Sequence, residues 1–268
     1  MTMTRSNKES LARSVGAEGA PICLAPFDKN KVILEMAFVT IGIDADDASL
    51  TVNCAKHLPA TGTFITKSGE KVLYGGKTGN VLTPLTRAQG GTTAALINAE
   101  ELIAVIPEGV TSYYAPSEFS RAGYFTKEGL KFTDKRTYED IIVERGSMGQ
   151  SEKSREITLV GTLYQASIEE IALNLGVDVA AQNDMKKLNW ASQNNKYVLF
   201  AAYKLWNKNN TSTDEVFYAH EAQLLSELEF TNQRNEDRTI PFKAVIWVTT
   251  ECVTQPDGPY QIYGETIS

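Results

Sequence analysis

The stretch REITLVGTLYQASIEEIALNLG, residues 155–176, poses the question on which the fold turns. Its first half alternates, with Ile157, Leu159, Gly161 and Leu163 on one side of an extended strand and Thr158, Val160, Thr162 and Tyr164 on the other. Its second half changes period. Ile168, Ile171, Ala172 and Leu175 recur at helical spacing, Ser167 and Glu170 are placed as a capping box, and Gly176 follows the last turn. Such an amphipathic helix needs a sheet to lie on. The strand makes its own demand: neither face is clearly polar, so something must cover the second one.

Working outward, the neighbouring sequence supplies sheet. Residues 32–43, VILEMAFVTIGI, are apolar or β-branched at nearly every position, the pattern of strands covered on both faces, and 22–43 is expected to form a strand pair. Residues 197–206, 215–230 and 240–250 add further strands, although the leucines of 215–230 also fit a helix. In 110–143, aromatic and β-branched residues are broken by Ala-Gly and Glu-Gly, which suggest turns. The polar stretch 145–156 is too long for a two-residue hairpin and is expected to be a projecting loop. Between 48 and 107, turn dipeptides recur at short intervals (Thr61-Gly62, Ser68-Gly69, Gly75-Gly76, Gly79-Asn80, Gly90-Gly91), as in a small all-β module. The expected architecture is mainly β. An N-terminal arm, 1–21, leads into a β-sandwich or barrel built from 22–47 and 108–268, with one flanking α-helix, and 48–107 forms an inserted module.

Bulk properties exclude several function classes. The 268 residues are 42% hydrophobic and 22% charged, an ordinary globular composition. A net charge of −7, from 26 basic and 33 acidic residues, argues against a general nucleic-acid-binding surface. No apolar run approaches the roughly 20 residues that span a bilayer, and the first 20 residues have no signal-peptide core, so the chain is expected to be made and assembled in the cytoplasm. Cys23, Cys54 and Cys252 are odd in number and far apart, which suggests buried inert thiols and no disulfide framework.

The candidate chemical motifs are weak. GGKTGN, 75–80, resembles a phosphate loop, but Lys71 stands where its first glycine belongs, so a turn is the better reading. Asp44, Asp46 and Asp47 lack the glycine and distant glutamate of a calcium loop. His57 and His220, the only histidines, sit in no nucleophile–base arrangement; His57 suggests strand-edge packing and His220 a surface position. The sequons at 209–212, without a leader, are a polar turn. Tyr113, Tyr114, Phe119, Tyr124, Phe125, Phe132 and Tyr138 are interleaved with acids as often as with bases, which favours packing over base stacking. No enzyme activity and no cofactor or metal is expected.

With catalysis set aside, the order of elements becomes informative. The run GYFTKEGLKFTDKRTYEDIIVE, the segment RGSMGQSEKS, and REITLVGTLYQASIEEIALNLGV resemble the tail tube proteins of tailed bacteriophages, as does the closing RTIPFKAVIWVTT. The likeness covers about 110–250 together with 22–43. Separately, 57–95 is similar to a small β module that recurs in phage virion proteins, through Gly69-Glu70 with Tyr74 and through the ending Leu82–Ala94, LTPLTRAQGGTTA. The resemblance implies a virion structural protein whose hexameric rings stack into a hollow tube for DNA ejection. Its implied partners are copies of itself and sheath, baseplate or neck proteins, with DNA passing unbound and no membrane insertion. The second face of 157–164 would then be covered by assembly.

For axial stacking the candidate is the segment Arg145, Gly146, Ser147, Met148, Gly149, Gln150, Ser151, Glu152, Lys153 and Ser154, with the N-terminal arm as the second candidate. An acidic lumen would let DNA slide, and Glu139, Asp140 and Glu144 are the candidate lumen charges. Two alternatives remain: a baseplate or tail-completion ring on the same fold, and a monomeric ligand- or carbohydrate-binding β-sandwich.

Overall fold

The computed structural model describes residues 21–143, 146–164, 196–206, 212–225, 239–247 and 260–263. These residues form fifteen strands and no α-helix; the expected helix with its Ser167–Glu170 cap lies outside them. The first nine strands are β1 (Pro21–Pro26), β2 (Glu35–Phe38), β3 (Leu50–Thr51), β4 (Gly62–Ile65), β5 (Lys71–Tyr74), β6 (Lys77–Thr78), β7 (Val81–Leu82), β8 (Leu85–Thr86) and β9 (Leu102–Ile106). The remaining six are β10 (Ser120–Val143), β11 (Gly146–Tyr164), β12 (Lys196–Trp206), β13 (Ser212–Leu224), β14 (Thr239–Ile246) and β15 (Tyr260–Tyr263). The chain is mainly β, with a closed antiparallel barrel and a smaller β unit beside it.

The barrel follows from pairing. Strands run in the order β12-β1-β10-β11-β14-β13, and β13 returns to pair with β12, which closes the circle; β15 adds to β13 at Val216–Ala219. Closure removes most sheet edges. Alternation then decides what each residue faces. Ile22, Leu24, Ile157, Leu159, Leu163, Leu199, Phe217, Phe242, Ala244 and Ile246 point inward and form one core, to which Phe132 is added from β10.

A second core explains the strands that are apolar on both faces. The outward residues of β1, β12 and β13 (Cys23, Ala25, Val198, Phe200, Val216 and Tyr218) meet Met36, Phe38, Ile65, Leu102 and Ala104 of a five-stranded sheet, β2-β9-β4-β5-β8. Phe200 is central, with its ring centroid 5.2 Å from that of Phe38 and 5.0 Å from that of Tyr218. The other face of that sheet, with Ala37, Phe64, Val72, Tyr74, Ile103 and Val105, packs over a three-stranded sheet, β3-β7-β6, to make a third core. The strand pair expected in 22–43 is therefore divided: β1 joins the barrel and β2 the five-stranded sheet. Residues 32–39 lack a polar face because β2 lies between two cores.

Three further expectations are corrected, and one ambiguity is resolved toward strand. The expected turns Ala122-Gly123 and Glu128-Gly129 lie inside the single strand β10, at irregularities of register opposite β1 and β11. Gly123, at φ 138°, supplies backbone freedom at the first of them. The ambiguous 215–230 segment is strand through Leu224. His220, expected at the surface, is 2% exposed: it and Glu221 form a bulge opposite Val198, between the pairs Leu199–Ala219 and Tyr197–Ala222. Finally, 146–156 is strand and not loop.

Candidate assembly surfaces

Strands β10 and β11 continue past the barrel. The last β11 residue paired with β14 is Ile157, and β1 meets β10 only between Ser120 and Tyr124. From Lys135 to Val143 on β10, and from Gly146 to Glu156 on β11, the two strands pair only with each other among the described residues. Nine residues at about 3.3 Å each give a two-stranded ribbon about 30 Å long. Its base is pinned by Arg155, whose Nε and Nη2 donate to the two carboxylate oxygens of Asp134 at 2.9 and 2.5 Å. Arg136 stands 3.9 Å from the same carboxylate. The register shifts between Thr137 and Tyr138 and between Ile141 and Ile142, so Lys153 and Met148 are extra residues on β11. Such bulges add twist and blunt exposed edges.

Every described member of the candidate stacking segment, Gly146–Ser154, lies in this ribbon. Two of the lumen candidates lie there too: Glu139 pairs with Ser151, and Asp140 with Gln150. The structure therefore places on one element two groups to which the sequence reading gives different roles. Arg145 and Glu144 lie outside the described residues.

The barrel's outer wall divides into two halves. The half on β1, β12 and the first part of β13 is sealed by the second core. Among the described residues nothing packs over the half on β10, β11 and β14, and register lays out its surface. Lys131, Val160, Lys243 and Leu225 form one row across four strands, since Leu225 N–H bonds to the Lys243 carbonyl at 2.9 Å. Lys135, Glu156, Trp247 and Glu221 form another, four residues along, beyond the uncharged row of Thr133, Thr158, Val245 and Gln223. Val160, Leu225 and Trp247 are 39%, 45% and 49% exposed, while Glu221 is buried against Lys196 at 2.7 Å. The second face of 157–164 is thus Thr158, Val160 and Thr162, half-buried to exposed. The period-2 pattern of 240–247, with Phe242, Ala244 and Ile246 inside, already places Lys243 and Trp247 outside; the sequence reading did not use that signal.

Polar contacts join the barrel to the small unit. The Tyr218 hydroxyl accepts from Met36 N–H at 2.8 Å and donates to the Met36 carbonyl at 2.9 Å, satisfying the free edge of β2. The Asn53 side chain does the same for Phe38 N–H at 2.8 Å. His57 Nε2 donates to the Met36 carbonyl at 2.9 Å and lies 3.2 Å from the Tyr218 hydroxyl. Burial pushes the His57 ring down to about 4, with the Met36 contact opposing and the Lys77 charge adding to the shift. The histidine is therefore neutral when folded and prefers protonation when unfolded, so its contribution is intact above about pH 6.5 and fades as pH falls toward 4. Between pH 7 and 4.5, wild type is expected to lose up to about 3 kcal/mol more stability than His57→Gln, read from urea midpoints. Glu35, pushed up by burial against the pull of Lys77, titrates in the opposite sense and is common to both proteins.

Lys77, the lysine of the apparent phosphate loop, is committed elsewhere: its ammonium donates to the carbonyls of Ala55, Lys56 and Leu58. Asp44 N–H bonds to Asp47 Oδ2 at 2.8 Å across an exposed turn. Cys23 and Cys54 are buried, and burial, which outweighs Arg121 and Lys67, pushes the Cys23 thiol up to about 12. Among the described residues no cluster of His, Cys, Asp or Glu is arranged to hold a metal, and no helix is long and apolar enough to cross a membrane. No protein-family model matches the chain, and no curated protein matches its sequence.

Proposed function

We propose that the chain is a structural, non-catalytic subunit of a phage tail tube, forming hexameric rings that stack into a conduit for DNA. The observation that carries this reading is the β10–β11 ribbon. A two-stranded ribbon about 30 Å long is at best marginally stable in water, so its natural setting is a surface provided by another molecule. The open wall at Val160 and Trp247 favours lateral association in the same way. A net charge of −7 suits a passage along which DNA must not adhere.

Negative-stain microscopy of the purified chain at rising concentration tests the proposal. Tubes are the expected result. Isolated rings would replace it with the baseplate or tail-completion reading, and a monomer at every concentration would leave the ligand-binding β-sandwich.

A further inference from the structure

The open wall of the barrel combines apolar and basic character in an otherwise acidic chain. Val160, Leu225 and Trp247 are exposed there, and Lys131, Lys135 and Lys243 are exposed among them. The only other exposed charge in these two rows is Glu156, so lysines outnumber acids there on a chain whose net charge is −7.

The small unit carries a surface of opposite character. Ile43 and Ile97 exchange backbone hydrogen bonds at 2.9 and 3.0 Å, which sets Leu96 beside Asp44. Ile41 and Leu96 are 63% and 54% exposed, and Asp44, Asp46 and Asp47 of the adjoining turn are exposed as well. Arg87 reaches this turn only at the Asp44 carbonyl, which leaves the carboxylates their charge. One surface offers isolated apolar side chains among lysines, the other isolated apolar side chains among aspartates.

We infer that the open barrel wall is the seat for the Ile41–Asp47 and Leu96 surface of a second copy of this chain. The contact is heterologous, because the wall of one copy takes the small unit of the next. Such contacts generate rings when the rotation closes and filaments when it does not. The inference rests on the assembly reading above and gives the small β unit a lateral role. Attraction between exposed charges sets register and partner choice more than affinity, with Trp247 and Leu225 providing the apolar contact. Salt weakens it over the roughly 10 Å Debye length of 0.1 M solution.

The test is a charge swap. Lys131→Glu/Lys135→Glu makes both surfaces acidic, and Asp44→Lys/Asp46→Lys makes both basic. All four sites are exposed, so each variant is expected to melt as wild type does. In analytical ultracentrifugation at low salt, each variant alone is expected to associate about tenfold or more weakly than wild type. An equimolar mixture is expected to recover wild-type association, since every acidic wall then meets a basic turn. Wild-type assembly by both variants alone, or a mixture no better than its components, overturns this interface and leaves the tail-tube reading standing. A wild-type chain that stays monomeric overturns both.

Discussion

Glu70→Ala is expected to lower the unfolding free energy by about 3–5 kcal/mol, the usual cost of breaking a buried ion pair by removing one partner. Glu70 is 2% exposed, yet its carboxylate is fully engaged. Arg87 Nε and Nη2 each donate to it at 2.8 Å, and the backbone N–H groups of Ala88 and Ala95 donate at 3.2 and 3.0 Å. Arg87 also donates to the carbonyls of Asp44 and Ala95. One carboxylate therefore ties β5 to the whole 87–95 segment. Without it, a guanidinium and two amides lose their acceptor in a place that water barely enters. Glu70→Met/Arg87→Met should be less destabilised than Glu70→Ala, because no lone charge remains, but still below wild type, because the two amides do. Urea denaturation of the three proteins measures the order, and equal stability of wild type and Glu70→Ala would show that the carboxylate anchors nothing.

The same carboxyl gives a second acid-sensitive window. Burial raises its protonation tendency, but the Arg87 hydrogen bond and the amides of Ala95 and Ala88 outweigh it and hold the group below the usual carboxylate range. Its folded value is depressed, so its stabilisation is present above the unfolded value of about 4.3 and is lost as pH falls through the folded one. The His57 window lies above this one, and Glu70→Gln should flatten only the lower part of the profile.

What was legible in the sequence depended on whether a strand had a buried face. Residues 157–163 bury one face, so alternation marked both the strand and its inward members. The run 32–43 is apolar at nearly every position and signals double coverage without naming the cover, and β2 within it lies between two cores. Residues 146–156 resemble a loop because a two-stranded ribbon lacks the covered face that writes an apolar pattern, leaving only Gly, Ser and charge. Ala122-Gly123 and Glu128-Gly129 look like turns because glycine serves bulges as well as turns. His220 looks exposed for a related reason: a bulge shifts the phase of alternation, and nothing local to His220 signals it. The Gly69–Tyr74 and Leu82–Ala94 segments were noticed as patterns, but the bond between Glu70 and Arg87 spans 17 positions and depends on the pairing of β5 with β8.

The second large effect concerns the ribbon. Replacing residues 138–153 with Asn-Gly joins Thr137 directly to Ser154, its register partner, through the dipeptide favoured in two-residue hairpins. The Asp134–Arg155 pair at the base is kept, and the strand pairs that join β10 to β1 and β11 to β14 all lie outside the excised stretch. Folding stability should therefore change by less than about 1 kcal/mol, within the range of surface substitutions. Assembly should change completely: rings are expected to form while tubes do not, because the lateral surfaces are intact and the axial one is gone. Microscopy of the shortened chain beside wild type distinguishes the outcomes. Tubes of normal length from the shortened chain would remove the stacking role from the ribbon. Loss of rings as well as tubes would mean that it also holds neighbours within a ring, and the separation of lateral from axial contacts would fail.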